Sequence, residues 1–262
     1  MPTIRYGARP VADRTDREVA ATKLGAWSTS LTATFATDPA VIAAVLPPPL
    51  APAHEPTVKV GVSRVDLGGT YPPFGAGTVA VAARHGDLEG WYPLLMPMTT
   101  EQAVIGGRET FGEPKKLAQI SLGADEAAGT VAATVARMGA TIIELGGTLG
   151  AELDPPPAGD RVDFYVKFLR SPSGAGFDDD PWLVHCHRET ETRAHRAVDG
   201  SLVLGESRFD PVADIPIVGG LAITLSERRS SQWGELVARL PAADIEPYAH
   251  QRYDDLSPAG KD

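Results

Sequence analysis

The chain is predicted to be mainly β, a barrel or sandwich of short strands with a few peripheral helices. Short segments rich in β-branched and apolar residues recur along most of its length, and Gly, Pro and Asp-Gly turn signals separate them. Only three stretches carry a helical start or spacing. Many short strands with few helices argue for a large antiparallel sheet system.

The first twenty or so residues are charged and aperiodic and are expected to form a surface arm. Residues 1–262 read as a single domain, with an arm over about 1–22 and a core over 25–250. Asp38-Pro39 supplies a capping oxygen followed by proline at the first helical position, so a helix is predicted over Ala40–Leu46, stopped by Pro47-Pro48-Pro49. Thr57–Val65 alternates Val58, Val60 and Val62 against Lys59, Gly61 and Ser63, the pattern of a half-buried strand. Further strands are predicted over Thr78–Ala83, Trp91–Met96, Leu117–Leu122, Thr130–Arg137, Thr141–Leu145, Asp163–Leu169, Trp182–Thr192, Leu202–Leu204 and Leu221–Leu225. Asp199-Gly200 and Gly146-Gly147 read as turns. Thr99 with Gln102 forms a capping-box pattern for a helix to about Arg108. A last helix is predicted over Ser230–Leu240, with Trp233, Leu236, Val237 and Leu240 on one face.

The chain has 262 residues, 43% of them apolar and 22% charged, as in a globular protein. A formal net charge of −10 disfavours nucleic acid and anionic membranes as partners. A single cysteine, Cys186, excludes an internal disulfide and fits a reducing compartment. The N-terminus has no apolar signal-peptide region and no apolar run reaches membrane-spanning length, so a cytoplasmic location is expected.

The segment with the most chemical content is Gly107-Arg108-Glu109-Thr110-Phe111-Gly112-Glu113-Pro114-Lys115-Lys116-Leu117. A helical pattern ends in glycine and proline, two cations follow, and an apolar strand pattern takes over. An imine forms only from a neutral amine, whereas an ordinary lysine at pKa ~10.4 is neutral in a few molecules per ten thousand at pH 7. A lysine doing such chemistry must titrate about three units lower, roughly 4 kcal/mol. A neighbouring ammonium at about 6 Å supplies ~3 kcal/mol at an effective dielectric of ~20, and burial can supply the rest. Adjacent strand residues point to opposite faces, which weakens the first of these and leaves the balance open. Taken alone, a Lys-Lys pair at a strand edge is more often a solvated anti-aggregation device.

This segment resembles the signature of the acetoacetate decarboxylase family, whose namesake is a standard example of an activated Schiff-base lysine. Phe35-Ala36-Thr37-Asp38 leading to Val45-Leu46-Pro47-Pro48-Pro49-Leu50 is similar to the family's Thr-Asp helix ending at proline. Pro211-Val212-Ala213-Asp214-Ile215-Pro216-Ile217-Val218 resembles its Leu-Pro-Val segment. The resemblance implies a closed, cone-like β-structure with peripheral helices, assembled as a homo-oligomer and working without a cofactor. It implies Lys115 as the imine-forming residue and Lys116 as the neighbour that tunes it. Arg108 and Glu109 match the motif and are expected to brace the loop.

Three departures stand against that pattern. The family's arginine falls on Trp27-Ser28-Thr29, one glutamate on Gly61 and the other opposite Phe74, and none of these residues is charged. The pocket is therefore expected to be less polar and roomier than in the namesake, with Phe74 contacting a keto acid bulkier than acetoacetate. Glu113 is either a replacement acid beside the imine or a solvated loop glutamate. The function read from these residues is a keto-acid lyase, most simply a decarboxylase. Aldol or dehydration chemistry through the same imine, or ligand binding without turnover, are the alternatives.

His185-Cys186-His187 places two imidazoles on one strand face, and His195 is the nearest candidate third ligand. A partly exposed strand without metal is the expectation, with Cys186 buried on the other face.

Overall fold

The computed structural model describes residues 27–67 and 72–254, together with 4, 6–8 and 10. Most of the expected N-terminal arm, and Tyr71, lie outside the described residues. The chain runs β1 (Ser28–Ala36), α1 (Pro39–Val45), β2 (Ala51–Pro52), β3 (Thr57–Val65), β4 (Phe74–His85), β5 (Leu88–Met98) and α2 (Glu101–Phe111). It continues through β6 (Lys115–Leu117), β7 (Gln119–Asp125), β8 (Thr130–Arg137), β9 (Ala140–Glu152), β10 (Gly159–Lys167), β11 (Trp182–Leu204), β12 (Gly219–Arg239) and α3 (Ala242–Ile245). The predicted mainly β class with peripheral helices is what the structure has. No helix among the described residues is long and apolar enough to cross a membrane.

Seven strands close on themselves in the order β10-β5-β4-β3-β1-β12-β11, because β10 pairs β11 as well as β5. Closure removes the free edges of these strands, the usual aggregation liability of a sheet. The far half of β11 continues outward into β9, β8 and β7, which fold back over β1, β3 and β4. One core fills the space between: Leu31, Ala33 and Phe35 of β1 and Val58, Val60 and Val62 of β3 join Val131, Val135 and Ile143 from the outer strands. Each Val, Leu, Ile or Phe side chain among them contributes roughly 1.5–3 kcal/mol on full burial.

Asp38 caps α1 by accepting from the Ala40 amide at 2.8 Å, with Pro39 in the first turn, as the sequence predicts. Thr37 donates its hydroxyl to the Pro216 carbonyl at 2.7 Å, and the Val218 amide donates to the Ala36 carbonyl at 3.0 Å. These bonds join the two flanking motifs, far apart in sequence, at one end of the barrel.

Four predicted features differ. Ser230–Leu240 is not a helix; through Arg239 it is the second half of β12, paired with β11. Val184 opposes Leu236 and Leu183 opposes Ala238, so Val237 is an extra, bulged residue. That bulge breaks the period of two and produces the helix-like apolar spacing. Asp199-Gly200 and Gly146-Gly147 are not turns but mid-strand partners of β11 and β9. A Cβ on Gly200 would overlap the Gly146 carbonyl, so these glycines allow close backbone approach instead. The capping box of α2 does not form: Thr100 is the N-cap without a side-chain bond, and Thr99 Oγ1 accepts from the Gly75 amide at 2.9 Å. Finally, β1 forms where the sequence analysis assigns no element.

Candidate active site

The alternation that buries Val58, Val60 and Val62 turns the other face of β3 inward. Lys59, Gly61 and Ser63 line a cavity of about 270 Å³ inside the barrel, just under the ~300 Å³ typical of small ligand pockets. Ser28, Gly61 and Phe74, the uncharged residues at which the resemblance implies charges, all line it.

Lys115 reaches this cavity through a tightly specified turn. α2 ends at Gly112, whose φ of 83° is left-handed and whose amide donates to the Arg108 and Gly107 carbonyls. Glu113 and Pro114 follow, and β6 then pairs parallel to β5 with Lys115 opposite Met96. Arg108 holds the turn by donating to the Lys115 carbonyl at 3.1 Å and the Arg252 carbonyl at 2.7 Å. Glu109 is exposed on α2.

Lys115 Nζ lies 2.6 Å from Glu113 Oε2, and the Glu113 side chain is 0% exposed. The solvated-loop reading of Glu113 is therefore wrong: Pro114 and the helix end turn it inward. The ammonium approaches off the hydrogen-bonding direction, which leaves Oε2 an ion-pair partner with no donor of its own. The other oxygen, Oε1, accepts from Arg188 Nη2 at 3.1 Å. Arg188 also donates from Nε to Asp163 Oδ2 at 2.6 Å and from Nη2 to the Tyr165 hydroxyl at 3.1 Å. Burial opposes the charge on Arg188, but Tyr165, Asp163, Cys186 and Glu113 around it raise its pKa well above the usual guanidinium value. Burial likewise drives the Tyr165 hydroxyl well above the phenol range, so it stays a neutral donor.

Gly107 makes room for this group. A Cβ there would overlap Glu113 Oε2 and come within 2.5 Å of Lys115 Nζ.

Lys116 points elsewhere. Its Nζ lies 3.0 Å from Asp210 Oδ1 and 3.4 Å from Asp254 Oδ1, and Arg137 pairs with both of these acids. It is buried but does not line the cavity.

The uncharged Ser28, Gly61 and Phe74 do not leave an apolar pocket. Arg161 and Asp163 of β10, Arg188 of β11 and Arg228 of β12 all face the cavity with Lys59. Burial lowers the Lys59 pKa to about 8, with Arg228, Arg161 and Arg188 adding to the effect and Asp163 opposing it. Sequence reasoning missed these residues, although Arg161, Asp163 and Tyr165 alternate with Val162, Phe164 and Val166 along β10. A strand with one apolar and one charged face carries that signal; it does not say that the charged face lines an interior.

Just before Arg188 on β11, His185 and His187 meet Glu235 of β12, with possible ligand atoms within 4.8 Å of one another. The third donor is Glu235 rather than His195, which bonds Ser226 at 2.9 Å. His187 stacks on Trp233 at 4.1 Å, and His85 Nδ1 lies 3.1 Å from His185 Nε2. Cys186 is buried on the opposite face, its thiol pushed up to about 12 by burial.

The acetoacetate decarboxylase (ADC) family model matches residues 8–239. Acetoacetate decarboxylase 1 of Bradyrhizobium diazoefficiens is 35% identical over 86 residues, 33% of this chain and only 34% of that protein. The structure of acetoacetate decarboxylase from Legionella pneumophila superposes with a TM-score of 0.70 at 21% identity, over 82% of this chain and 88% of that one. The enduracididine biosynthesis enzyme MppR, complexed with the condensation product of pyruvate and imidazole 4-carboxaldehyde, gives 0.66 at 15% identity, over 80% and 88%. With the lysine turn, the closed barrel and a family match over most of its length, this chain belongs to the acetoacetate decarboxylase family.

Proposed function

We propose that the protein is a lyase that decarboxylates a keto acid larger than acetoacetate through an imine on Lys115. The observation that carries this reading is the Lys115–Glu113 pair, held by the α2 turn against the cavity. Glu113 accepts a proton from the ammonium, and the neutral amine attacks the substrate ketone. Loss of water gives a protonated imine. The bond to the carboxylate then breaks, its electron pair moves toward the imine nitrogen, and carbon dioxide leaves. Protonation of the resulting enamine and addition of water release the ketone and regenerate the lysine. Glu113 is placed to carry these protons, and Arg188 fixes its orientation.

A second reading, aldol condensation or dehydration through the same imine, is favoured by the likeness to MppR and by the uncharged Ser28, Gly61 and Phe74. Quantifying carbon dioxide beside organic products separates the two. A homo-oligomer is proposed from the family resemblance, and light scattering in solution checks it. The primary test is borohydride reduction with a panel of keto acids, read by intact mass and peptide mapping. A stable adduct on Lys115 is expected; scattered adducts on surface lysines, or none, would defeat the mechanism.

A further inference from the structure

The cavity is lined by more positive side chains than its own acids neutralise. Lys59, Lys115, Arg161, Arg188 and Arg228 face it, against Glu113 and Asp163. Both acids are already engaged, Glu113 with Lys115 and Arg188, and Asp163 with Arg188. Among the described residues, Lys59, Arg161 and Arg228 have no carboxylate within ion-pair distance. Arg228 Nε donates to Ser30 Oγ at 3.1 Å, and Ser30 is in turn bonded to Ser63. Lys59 Nζ sits 4.3 Å from the centre of the Trp91 ring. Arg161 stands directly opposite Arg188 on the neighbouring strand, and like charges in that position repel.

Cations gathered this closely repel one another. Burial, then Arg161 and Arg188, lower the Arg228 pKa to about 10, and the same surroundings weaken the charge on Lys59. The three are half-buried, and cations gathered on one wall of a cavity are stabilised by an anion beside them. One substrate carboxylate beside the imine would still leave this group in excess.

We propose that Lys59, Arg161 and Arg228 form a subsite for a second anionic group, so that the substrate is a dianionic keto acid. The second group is a carboxylate or a phosphate, either of which suits a guanidinium fork. This rests on the reading of Lys115 as the imine-forming residue for its chemistry, but not for its binding. Substrate enters with one anionic group next to the reacting ketone and the other against β3, β10 and β12. Cations from three different strands thereby stand where the resemblance sets only one, and no acid takes the place of its two glutamates.

Matched pairs of substrates test the subsite: 3-oxoadipate against 3-oxohexanoate, and 3-oxoglutarate against 3-oxopentanoate. The diacid is expected to exceed its monoacid partner in kcat/KM at least tenfold. Arg228→Gln and, separately, Arg161→Gln should cut that ratio at least tenfold, and high salt should lower it in the wild type. Equal rates for diacid and monoacid, or an unchanged ratio in both variants with adduct still forming on Lys115, would overturn the subsite and leave the imine mechanism standing. If no keto acid is trapped at all, calorimetry with non-reacting succinate and 3-phosphonopropionate against butyrate decides. Binding of either dianion, weakened at least tenfold in the arginine variants, supports the subsite without lysine chemistry. Binding no tighter than butyrate overturns it. Tighter binding of 3-phosphonopropionate than of succinate assigns the second group as phosphate, and the reverse order as carboxylate.

Discussion

Lys115 and Lys116 are adjacent, equally buried and differently surrounded. On the outer side, Lys116 and Arg137 meet Asp210 and Asp254, so two cations face two acids and every charge has a partner within 3.4 Å. On the inner side, Lys115 shares Glu113 with Arg188, while Lys59, Arg161 and Arg228 wait on the same wall without an acid of their own. A balanced network serves the fold. An unbalanced one, maintained around a cavity, points to a ligand that completes it. The direction of two consecutive side chains from one short strand decides which lysine enters which environment.

The sharpest way to break this contrast is to remove each lysine in turn. Lys115→Ala and Lys115→Arg should reduce borohydride trapping and turnover to background, since arginine stays protonated at any working pH. Lys116→Ala should keep trapping on Lys115 and instead lower stability by about 1.5–3 kcal/mol in urea unfolding, the worth of a hydrogen bond to a charged group. Equal loss of trapping in both variants would show that the two regions act as one.

The acids extend the same comparison. Glu113→Gln should slow turnover by roughly 10²–10⁴-fold, the range for a positioned proton carrier, and Asp210→Asn should act mainly on the urea midpoint. Gly107→Ala adds a methyl where Glu113 and Lys115 meet; about 1–3 kcal/mol of overpacking and slower trapping are expected. A variant with normal trapping kinetics would show that the pair tolerates displacement.

The smallest effect concerns Lys59. Its folded pKa of about 8 lies below the ordinary lysine value of 10.5, so the folded state holds fewer protons between these limits. The destabilisation is fully present below pH 8 and disappears as pH rises toward 10.5. Stability should therefore climb over that window by about 1–3 kcal/mol, and Lys59→Met should flatten the climb. Unfolding curves measured at several pH values check it.

Much of this was legible in the sequence. β3 and β8 run over the residues predicted for them, because Val58, Val60 and Val62, and Val131, Ala133 and Val135, all bury one clean face. The turn that carries Lys115 was visible as glycine, proline and an apolar run. β1 was not assigned, although Leu31, Ala33 and Phe35 alternate with Ser30, Thr32 and Thr34; its small and hydroxyl residues make a weak pattern that tertiary pairing with β3 and β12 completes. The cationic wall was not legible for a different reason. Arg161, Arg188 and Arg228 come from three strands, and only closure of the sheet turns their polar faces toward one another. A polar face reads the same along the chain whether it meets solvent or an enclosed space.

That closure also separates two kinds of position within one strand. Along β3, Val58, Val60 and Val62 belong to the packed core while Lys59, Gly61 and Ser63 belong to the cavity. Inherited changes at the second set alter what the cavity recognises and leave the packing contacts of the first set intact. Recognition and packing are thus carried by alternate residues of the same strand, and a substitution can alter one without disturbing the other.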